Sequence, residues 1–320
     1  MNYGDRRLDF IIPEACEKDI LKKLPDAIKE ISEMNEEERV FLTGLILKYK
    51  PQKGLEIGVA AGASSAVILN ALEHVDNAEF YSVDYSEKYY RDNSKQTGFF
   101  ALGIKNNFKT PWRLHTGGVT AEFIEKIGLD IDFCLIDTMH VQPGEILDFF
   151  LMVLPYLKSG AVIVLHDIAL HLSMIEQQWS DCNVQLISVL KGQKLLPAEF
   201  DSEFTPFPNI GAVVLDKDIK DNLFDIFNLL LVYWKYSLSE HDYRVIYDYF
   251  KKHYDEYFLE IFSKTAEINK KRLARIKEDK NNYFTKLLFK ILKFKLSHGE
   301  KRSFNLNELK NYKRRILIGE

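Results

Sequence analysis

Leu55-Glu-Ile-Gly-Val-Ala-Ala-Gly62 is the stretch of this 320-residue chain that decides its fold. A short apolar run enters a turn of glycine and alanine, and small and aliphatic residues continue over 64–72 at a spacing typical of a helix. A strand that passes through such a turn into a helix is the first unit of an open α/β sheet. Ligands in these sheets bind beyond the carboxyl ends of the strands, where the following helix offers free N–H groups.

Further apolar runs alternate with helical segments along the chain. Nearly continuous apolar runs are typical of parallel strands that are buried on both faces. We therefore predict a Rossmann-like, doubly wound α/β fold with a mostly parallel, seven-stranded sheet. The predicted strands are residues 54–59, 80–84, 112–116, 131–136 and 161–165, with two more near 184–189 and 210–215.

The pattern divides the chain into three regions. Residues 1–50 are predicted to be N-terminal helices that pack on the core, over about 17–34 and 36–49. Residues 51–216 carry the sheet. Residues 217–320 form a helical, aromatic extension that becomes basic from about Lys264.

Composition narrows the class of protein. A hydrophobic content of 46% and a charged content of 28% are ordinary for a globular chain. The three cysteines form no CxxC pair, which argues against a disulfide framework or a structural zinc site. No apolar run reaches the roughly 18 residues that cross a bilayer. The first residues lack a signal-peptide core, so we expect a cytoplasmic protein.

The turn after the first strand favours one cofactor over another. A pyrophosphate-binding turn would carry glycine where Ala60 stands, and Glu56 would repel the pyrophosphate of NAD. An acidic residue there suits the ammonium and sulfonium groups of S-adenosylmethionine (SAM). Asp84 ends the next strand, 22 residues after Gly62, where a carboxylate can accept both ribose hydroxyls. The residues therefore favour a SAM site.

Polar side chains follow two central strands of the predicted sheet. Asp137 and His140 follow one strand, and His166 and Asp167 follow the other. Because the carboxyl ends of parallel strands meet at one edge, we expect these four side chains to converge beside the cofactor methyl group.

Two chemistries stay open at this point. Asp137, His166 and Asp167 could ligate Mg²⁺, or Mn²⁺ given the imidazole, and the cation would lower the pKa of an acceptor hydroxyl. Without a metal, His140 or His166 would be the general base, with His140 preferred. The candidate catalytic residues are therefore Asp137, His140 and His166.

The loop after Asp84 carries a polar aromatic cluster, Tyr89-Tyr-Arg-Asp92. Loops in this position commonly close over substrate. Tyr90 and Arg91, with His166, are candidate acceptor contacts, and Arg91 could bind a phosphate or carboxylate. Packing of the loop on the sheet edge is the alternative.

These motifs together resemble class I SAM-dependent methyltransferases. The resemblance rests on residues 55–62, Ser82-Val-Asp84 and Asp132-Phe-Cys-Leu-Ile-Asp137, and it covers about residues 40–216. The span 160–167 is similar in particular to small-molecule O-methyltransferases that include metal-dependent, sugar-modifying enzymes. His166 departs from that group, which tends to carry a second Asp there, and Met139 stands where an acidic base is often found. The implied cofactor-binding set is Glu56, Gly58, Ala60, Gly62, Ser64, Asp84, Thr116, Gly117, Gly118 and Asp137, with residues 116–118 near the adenine.

The resemblance implies transfer of a methyl group from SAM to a hydroxyl. The expected acceptor is a sugar or another small polar metabolite, in surface-glycan biosynthesis. N-methylation of a small amine or a nucleic acid is an alternative, and so is a SAM-binding scaffold that has lost catalysis. An Asn-Pro-Pro-Tyr motif is absent, which argues against methylation of a DNA base. We also expect a homo-oligomer.

The C-terminal region is strongly basic. From Lys264 onward there are 17 Lys and Arg against 6 Asp and Glu, whereas the remainder has 26 against 41. Residues 283–296 place Leu287, Leu288, Ile291 and Leu292 on one stripe with lysines around it, a pattern typical of a basic amphipathic helix. Such a helix could bind an anionic membrane surface, dock on the acidic body or be merely solvated. Nucleic-acid binding is not favoured.

Overall fold

The computed structural model describes residues 8–11, 15–173, 181–216 and 222–297, with side chains described between residues 18 and 279 of these ranges. Its centre is one eight-stranded sheet. The strands are β1 (Leu8–Ile11), β2 (Lys53–Ile57), β3 (Glu79–Asp84), β4 (Trp112–Thr116), β5 (Ile131–Ile136), β6 (Leu157–His166), β7 (Gly192–Pro197) and β8 (Ile210–Leu215).

The strand order is β1-β7-β8-β6-β5-β2-β3-β4. Every neighbouring pair is parallel except that β8 runs antiparallel to both β6 and β7. The chain builds outward from β2 to β4 and then returns to place β5 on the other side of β2. The order therefore reverses between β2 and β5, which is where an open α/β sheet forms its ligand crevice. The Rossmann-like prediction is confirmed.

Eleven helices flank the sheet within the described ranges. They are α1 (Ala15–Leu21), α2 (Ile28–Ile31), α3 (Glu36–Tyr49), α4 (Ala63–Leu72), α5 (Phe99–Ile104), α6 (Ile124–Ile127), α7 (Gly144–Tyr156), α8 (Cys182–Val189), α9 (Leu223–Asn228), α10 (Glu240–His253) and α11 (Glu256–Ser297).

The predicted strand near residues 184–189 is wrong. Those residues lie in α8, and the strand is β7, a few residues later. The run Val-Gln-Leu-Ile-Ser-Val is rich in β-branched residues, which imitates a strand. Tertiary packing overrides that propensity, because Leu186 is fully buried and Ile187 nearly so on the helix.

Two further differences concern the N-terminal region. The helix predicted over residues 17–34 is divided, since α1 ends at Leu21 and α2 begins at Ile28. Pro25 lies in the gap, and proline removes a backbone N–H that a helix interior needs. In addition, β1 pairs in parallel with β7, so the predicted seven-stranded sheet has an eighth strand at its edge.

Helices α3 and α4 bury one large core against the sheet. Phe41 and Leu45 of α3 and Val67 of α4 belong to the same buried cluster as Phe80 of β3 and Phe133 of β5. Helix α3 begins with a capping box, because Asn35 accepts the N–H of Glu38 (2.9 Å) and Glu38 accepts the N–H of Asn35 (2.8 Å). The capping box fixes the position of the Glu38 carboxylate at the start of α3.

The chain divides into two compact units, residues 1–265 and 266–320. In the first, the helices after β8 pack on Phe150 of α7 through an aromatic cluster. The ring centroids of Phe150 and Phe227 are 4.0 Å apart, and those of Phe227 and Phe258 are 4.2 Å apart. This packing joins residues 222–265 to the sheet domain.

Helix α11 extends to Ser297. The segment predicted to be an amphipathic helix is therefore helical, while the positions of its apolar and basic side chains lie outside the described residues. Among the described helices, none combines the length and the apolar content that would cross a membrane.

Candidate active site

A cavity of about 830 Å³ opens at the carboxyl ends of β2, β3 and β5. Cavities of about 300–1,000 Å³ are the usual size of small-ligand sites. Four loops of the sheet line it, through residues 57–61 with 63–64, 83–86, 118–120 and 137–140. The other walls come from residues 31–34, before α3, from the loop after β3, from α7, and from residues between 236 and 246, around the start of α10.

Glycines shape the turn between β2 and α4. Gly58 has φ +89°, and a Cβ there would lie 1.7 Å from the carbonyl oxygen of Asp137. Gly62, with φ +87°, is the N-cap of α4 and provides no side-chain cap. The turn can therefore lie close to a ligand while the first N–H groups of α4 stay available to it. Gly58, Ala60 and Ser64 line the cavity, whereas Gly62 is not part of its wall.

Asp84 binds this turn from the end of β3. Its carboxylate accepts the N–H groups of Val59 (2.8 Å) and Ala60 (3.1 Å), and that of Ser86 (2.8 Å). The residue also lines the cavity. The geometry is compatible with the predicted ribose contact, and it adds a second role, because the same carboxylate holds the β2–α4 turn in place.

Glu56 lies beneath the turn instead of in the cavity wall. It is fully buried, and its carboxyl group accepts the hydroxyls of Ser64 (2.5 Å), Ser65 (2.5 Å) and Ser82 (2.7 Å). Burial raises the pKa of Glu56 to about 7, against the opposing effect of these hydroxyls. Of the three serines, Ser64 lines the cavity, so Glu56 reaches the ligand space through the Ser64 hydroxyl.

The loop after β4 was predicted to lie near the adenine of the cofactor. Gly118 lines the cavity together with Val119 and Thr120. Thr116 and Gly117 are not part of the wall, although the N–H of Gly117 donates to the carbonyl of Asp84 (3.2 Å). The loop therefore meets the cavity slightly later in the sequence than predicted.

The four polar residues after β5 and β6 converge as expected. His140 Nε2 lies 3.0 Å from Asp167 Oδ2 and 3.7 Å from Asp137 Oδ1. His166 Nδ1 lies 3.2 Å from Asp137 Oδ1 and 3.6 Å from Asp167 Oδ2. Sheet register brings these groups together, because Ile136 and Leu165 are paired neighbours in β5 and β6.

Two further carboxylates complete this cluster. Glu38 Oε2 lies 3.4 Å from His166 Nε2, and Glu145 Oε1 lies 3.2 Å from His140 Nδ1. Glu145 also accepts the backbone N–H of His140. Four acids thus surround two histidines. The sequence signals were ambiguous, since Glu38 is part of a helix cap and Glu145 is an ordinary acid in the first turn of α7.

The carboxylates control the protonation of both histidines. Burial lowers the pKa of His140, but contacts with Asp167 and Glu145 outweigh it and raise the pKa well above the ordinary value. The pKa of His166 is raised in the same way by Asp167, Asp137 and Glu38. Burial opposes ionisation of Asp167, yet the two histidines lower its pKa. The carboxylates therefore favour the protonated form of both imidazoles, which opposes a role as general base unless another cation offsets their charge.

A divalent cation fits this donor set. Asp137, His166 and Asp167 each offer one ligand atom, and these atoms lie within 4.8 Å of one another. The His166 Nδ1 atom is buried and has no hydrogen-bond partner of good geometry. Two carboxylates and an imidazole suit Mn²⁺ or Fe²⁺ better than Mg²⁺, which prefers oxygen ligands.

The predicted acceptor contacts are arranged differently. Tyr90 lines the cavity, but Arg91 does not. Arg91 Nη2 lies 3.0 Å from Glu33 Oε1, Arg91 Nε donates to the Tyr90 hydroxyl (2.8 Å), and that hydroxyl donates to Glu33. Arg91 therefore ties the loop after β3 to the segment before α3. His166, also predicted to contact the acceptor, is 2% exposed and faces the acids.

Asp148 is a cavity residue that the sequence reading missed. It lies on α7, where it accepts the hydroxyls of Thr120 (2.9 Å) and Thr138 (3.3 Å). The available signal was a lone acid within the apolar run Ile146-Leu-Asp-Phe-Phe150.

Comparison with known proteins gives one matching family model and several solved structures of low similarity. A methyltransferase-domain family model matches residues 55–168, from β2 to just beyond β6. No curated protein matches the sequence.

The chain is similar to three solved structures at low identity. An O-methyltransferase from Bacillus cereus in complex with S-adenosylhomocysteine (SAH) shares 17% identity, with 63% of this chain and 91% of that chain covered and a TM-score of 0.43. A SAM-bound O-methyltransferase from Streptomyces achromogenes, involved in tomaymycin synthesis, shares 13%, with 63% and 90% covered and a TM-score of 0.44. A SAH-bound methyltransferase from Podospora anserina shares 16%, with 62% and 86% covered and a TM-score of 0.41.

Proposed function

We propose, for a chain whose residues 55–168 match a methyltransferase-domain family model, that its site transfers the SAM methyl group to a hydroxyl of a small polar acceptor, with a sugar as the favoured class. One observation carries this proposal. The Asp137–His166–Asp167 donor set and His140 meet beside the cavity that the β2–α4 turn opens. Groups that can deprotonate a hydroxyl thus lie next to the predicted cofactor crevice.

The domain's residues divide the work of binding. SAM supplies an electrophilic methyl group when it is bound. The N–H groups at the start of α4 and the Ser64 hydroxyl would bind its amino-acid end, and Asp84 would accept its ribose hydroxyls. Much of the acceleration of methyl transfer comes from holding the acceptor oxygen in line with the methyl carbon and excluding water.

The acid cluster provides the proton chemistry. A divalent cation held by Asp137, His166 and Asp167 would lower the pKa of an acceptor hydroxyl. Its charge would also offset the carboxylates that raise the pKa of His140. Glu145 lies at Nδ1 of His140, so Nε2 is the atom that faces Asp167 and can accept the proton.

The charge of the cavity limits the acceptor class. Five acids line the wall, whereas its cationic side chains are Lys88 and His140. An acidic wall disfavours a polyanionic acceptor, and a polyol with neighbouring hydroxyls fits it well. The same wall favours a small cationic amine, so N-methylation is the second candidate. Surface-glycan synthesis and membrane contact through α11 stay predictions. The acids are Glu33, Asp84, Asp137, Asp148 and Asp242.

The test is methyl transfer from radiolabelled SAM to panels of sugars, catechols and small amines, after EDTA treatment and again with Mn²⁺ or Mg²⁺ restored. We expect transfer to a hydroxyl that EDTA abolishes and Mn²⁺ restores better than Mg²⁺. Labelling of amines alone would replace O-methylation by the second candidate. Binding of SAH by calorimetry without transfer to any acceptor would favour a SAM-binding scaffold, and absence of SAH binding would overturn the proposal.

A further inference from the structure

The Asp148 carboxyl group is held between two loops of the sheet. Thr120, after β4, donates to Oδ1 at 2.9 Å, and Thr138, after β5, donates to Oδ2 at 3.3 Å. Each oxygen keeps capacity for a further hydrogen bond, since a carboxyl oxygen has two lone pairs. Asp148 lines the cavity, so a ligand can reach the group.

Apolar and aromatic side chains accompany Asp148 in the cavity wall. The same cavity is lined by Leu147 and Leu151 of α7, by Tyr236 and Leu238 just before α10, and by Ile246 within α10. Burial and then the charges of Asp148 and Glu145 raise the pKa of the Tyr236 phenol. Helix α10 packs on α7 and on residues 120–122. A flat aromatic group with a polar edge matches a cavity of this composition.

The direction of the bound cofactor follows from the strand order. The reacting end is at β5 and β6, where His140 and Asp167 lie, and the predicted ribose ligand Asp84 ends β3. Strand β4 is next to β3 on the side away from the reacting end. The base attached to that ribose therefore extends toward residues 118–120, where Thr120 holds Asp148.

We propose that Asp148 is the residue that recognises the amino edge of the cofactor's adenine, in a subsite closed by residues 236–246. Residues 236–246 lie outside residues 55–168, which the methyltransferase-domain model matches. A carboxyl oxygen accepts the N6–H of adenine, and in the acid form the neighbouring O–H donates to N1. Burial raises the pKa of Asp148 to about 7, against the effect of the Thr120 hydroxyl, which leaves the acid form populated near neutral pH. This inference rests on the proposed SAM site.

The first arm of the test needs no variant. SAH and its purine-riboside analogue, which lacks the 6-amino group, are titrated into the full-length chain by calorimetry. Loss of one well-made hydrogen bond predicts affinity for the analogue on the order of tenfold weaker. Equal affinity for the two ligands would overturn the role of Asp148, whereas absence of SAH binding would overturn the SAM site itself.

The second arm separates recognition from packing. Asp148→Asn keeps one acceptor and one donor that can pair with N6 and N1 of adenine, so it should retain SAH binding and discrimination. Asp148→Leu has a similar volume and neither group, and it should bind both ligands equally weakly. Glu125→Gln, an exposed acid on α6 outside the cavity wall, is the control and should behave as wild type. Discrimination by a folded Asp148→Leu protein would contradict the proposal.

Discussion

Glu38 Oε2, in the first turn of α3, lies 3.4 Å from His166 Nε2 at the end of β6, across 128 residues of sequence. Both side chains are buried, and the same Glu38 oxygen accepts the N–H of Asn35 (2.8 Å) in the α3 capping box. With Nε2 facing Glu38, the Nδ1 atom of His166 faces Asp137 at 3.2 Å. A carboxylate behind a ligating imidazole fixes its tautomer and ring orientation. Helix α3, outside the matched domain, thus positions a residue of the candidate metal site.

Removal of this carboxylate should weaken metal binding. Glu38→Ala is expected to reduce Mn²⁺ affinity by about 10- to 100-fold, because outer-shell partners of metal ligands have effects of that size. Free Mn²⁺ measured by electron paramagnetic resonance gives the affinity without an activity assay. Asn35→Ala is the matched control, since it also loses the capping box but keeps the carboxylate on His166. If both variants lose Mn²⁺ binding equally, the cause is the loss of the capping box at the start of α3 and not the loss of the Glu38 carboxylate.

Asp84 is predicted to control cofactor binding. Asp84→Asn keeps the shape of the side chain but removes the charge that binds the N–H groups of Val59 and Ala60. Since hydrogen bonds to a charged group contribute about 1.5–3 kcal/mol, SAH affinity should fall by at least about tenfold in calorimetry. Asp92→Asn alters an acid of the following loop that bonds locally to Ser94, and it should leave SAH affinity unchanged. Wild-type affinity in Asp84→Asn would remove the residue from the cofactor site.

Two acids with raised pKa values predict how stability depends on pH. The pKa values of Glu56 and Asp148 rise to about 7 in the folded chain, from 4.5 and 3.8. The folded state therefore holds these protons more tightly than the unfolded state, so stability from these groups is present below about pH 4 and falls as pH rises toward 7. Above pH 7 the shift lowers the free energy of unfolding by about 3 kcal/mol for Glu56 and by about 4 kcal/mol for Asp148.

Urea unfolding of the ligand-free chain at pH 5 and pH 8 measures this dependence. Glu56→Gln removes one of the two titrating groups, and its side-chain amide can still form hydrogen bonds with the three serines. We expect the variant to lose less free energy of unfolding between the two pH values than wild type loses. If the variant loses as much free energy of unfolding between the two pH values as wild type, or more, Glu56 is ionised in the folded chain.

The β2–α4 turn should tolerate no side chain at Gly58. A Cβ would lie 1.7 Å from the Asp137 carbonyl oxygen, and φ is +89°. Gly58→Ala should lower the free energy of unfolding by about 3 kcal/mol or more. The backbone must move to admit the new Cβ, and the positive φ is itself strained for alanine. Gly103→Ala in α5 is the control, since no heavy atom lies within 4 Å of its Cβ position. It should gain up to about 1 kcal/mol from helix propensity. Similar stability of the two variants in chemical denaturation would contradict this.

The sequence predicted several elements because their signals are local. Helix α3 and strands β4 and β5 have their predicted bounds. The capping residues and the periodicity of apolar residues that predict each element lie within that element. Strand β7 was misplaced because a short β-branched run can enter a helix or a strand, and burial against neighbours selects between them. Strand β1 was missed because its partner β7 lies far along the chain.

The sequence by itself determined the fold class, the β2–α4 turn and the residues that end β3, β5 and β6. These depend on period, spacing and the rule that parallel strands present their carboxyl ends at one edge. Only the tertiary structure decided that Glu38 faces His166, that Arg91 pairs with Glu33, and that Asp148 lies in the cavity. The physical reason is that each of these positions depends on strand register and helix packing between segments far apart in sequence, and a pattern within one segment carries no measure of either.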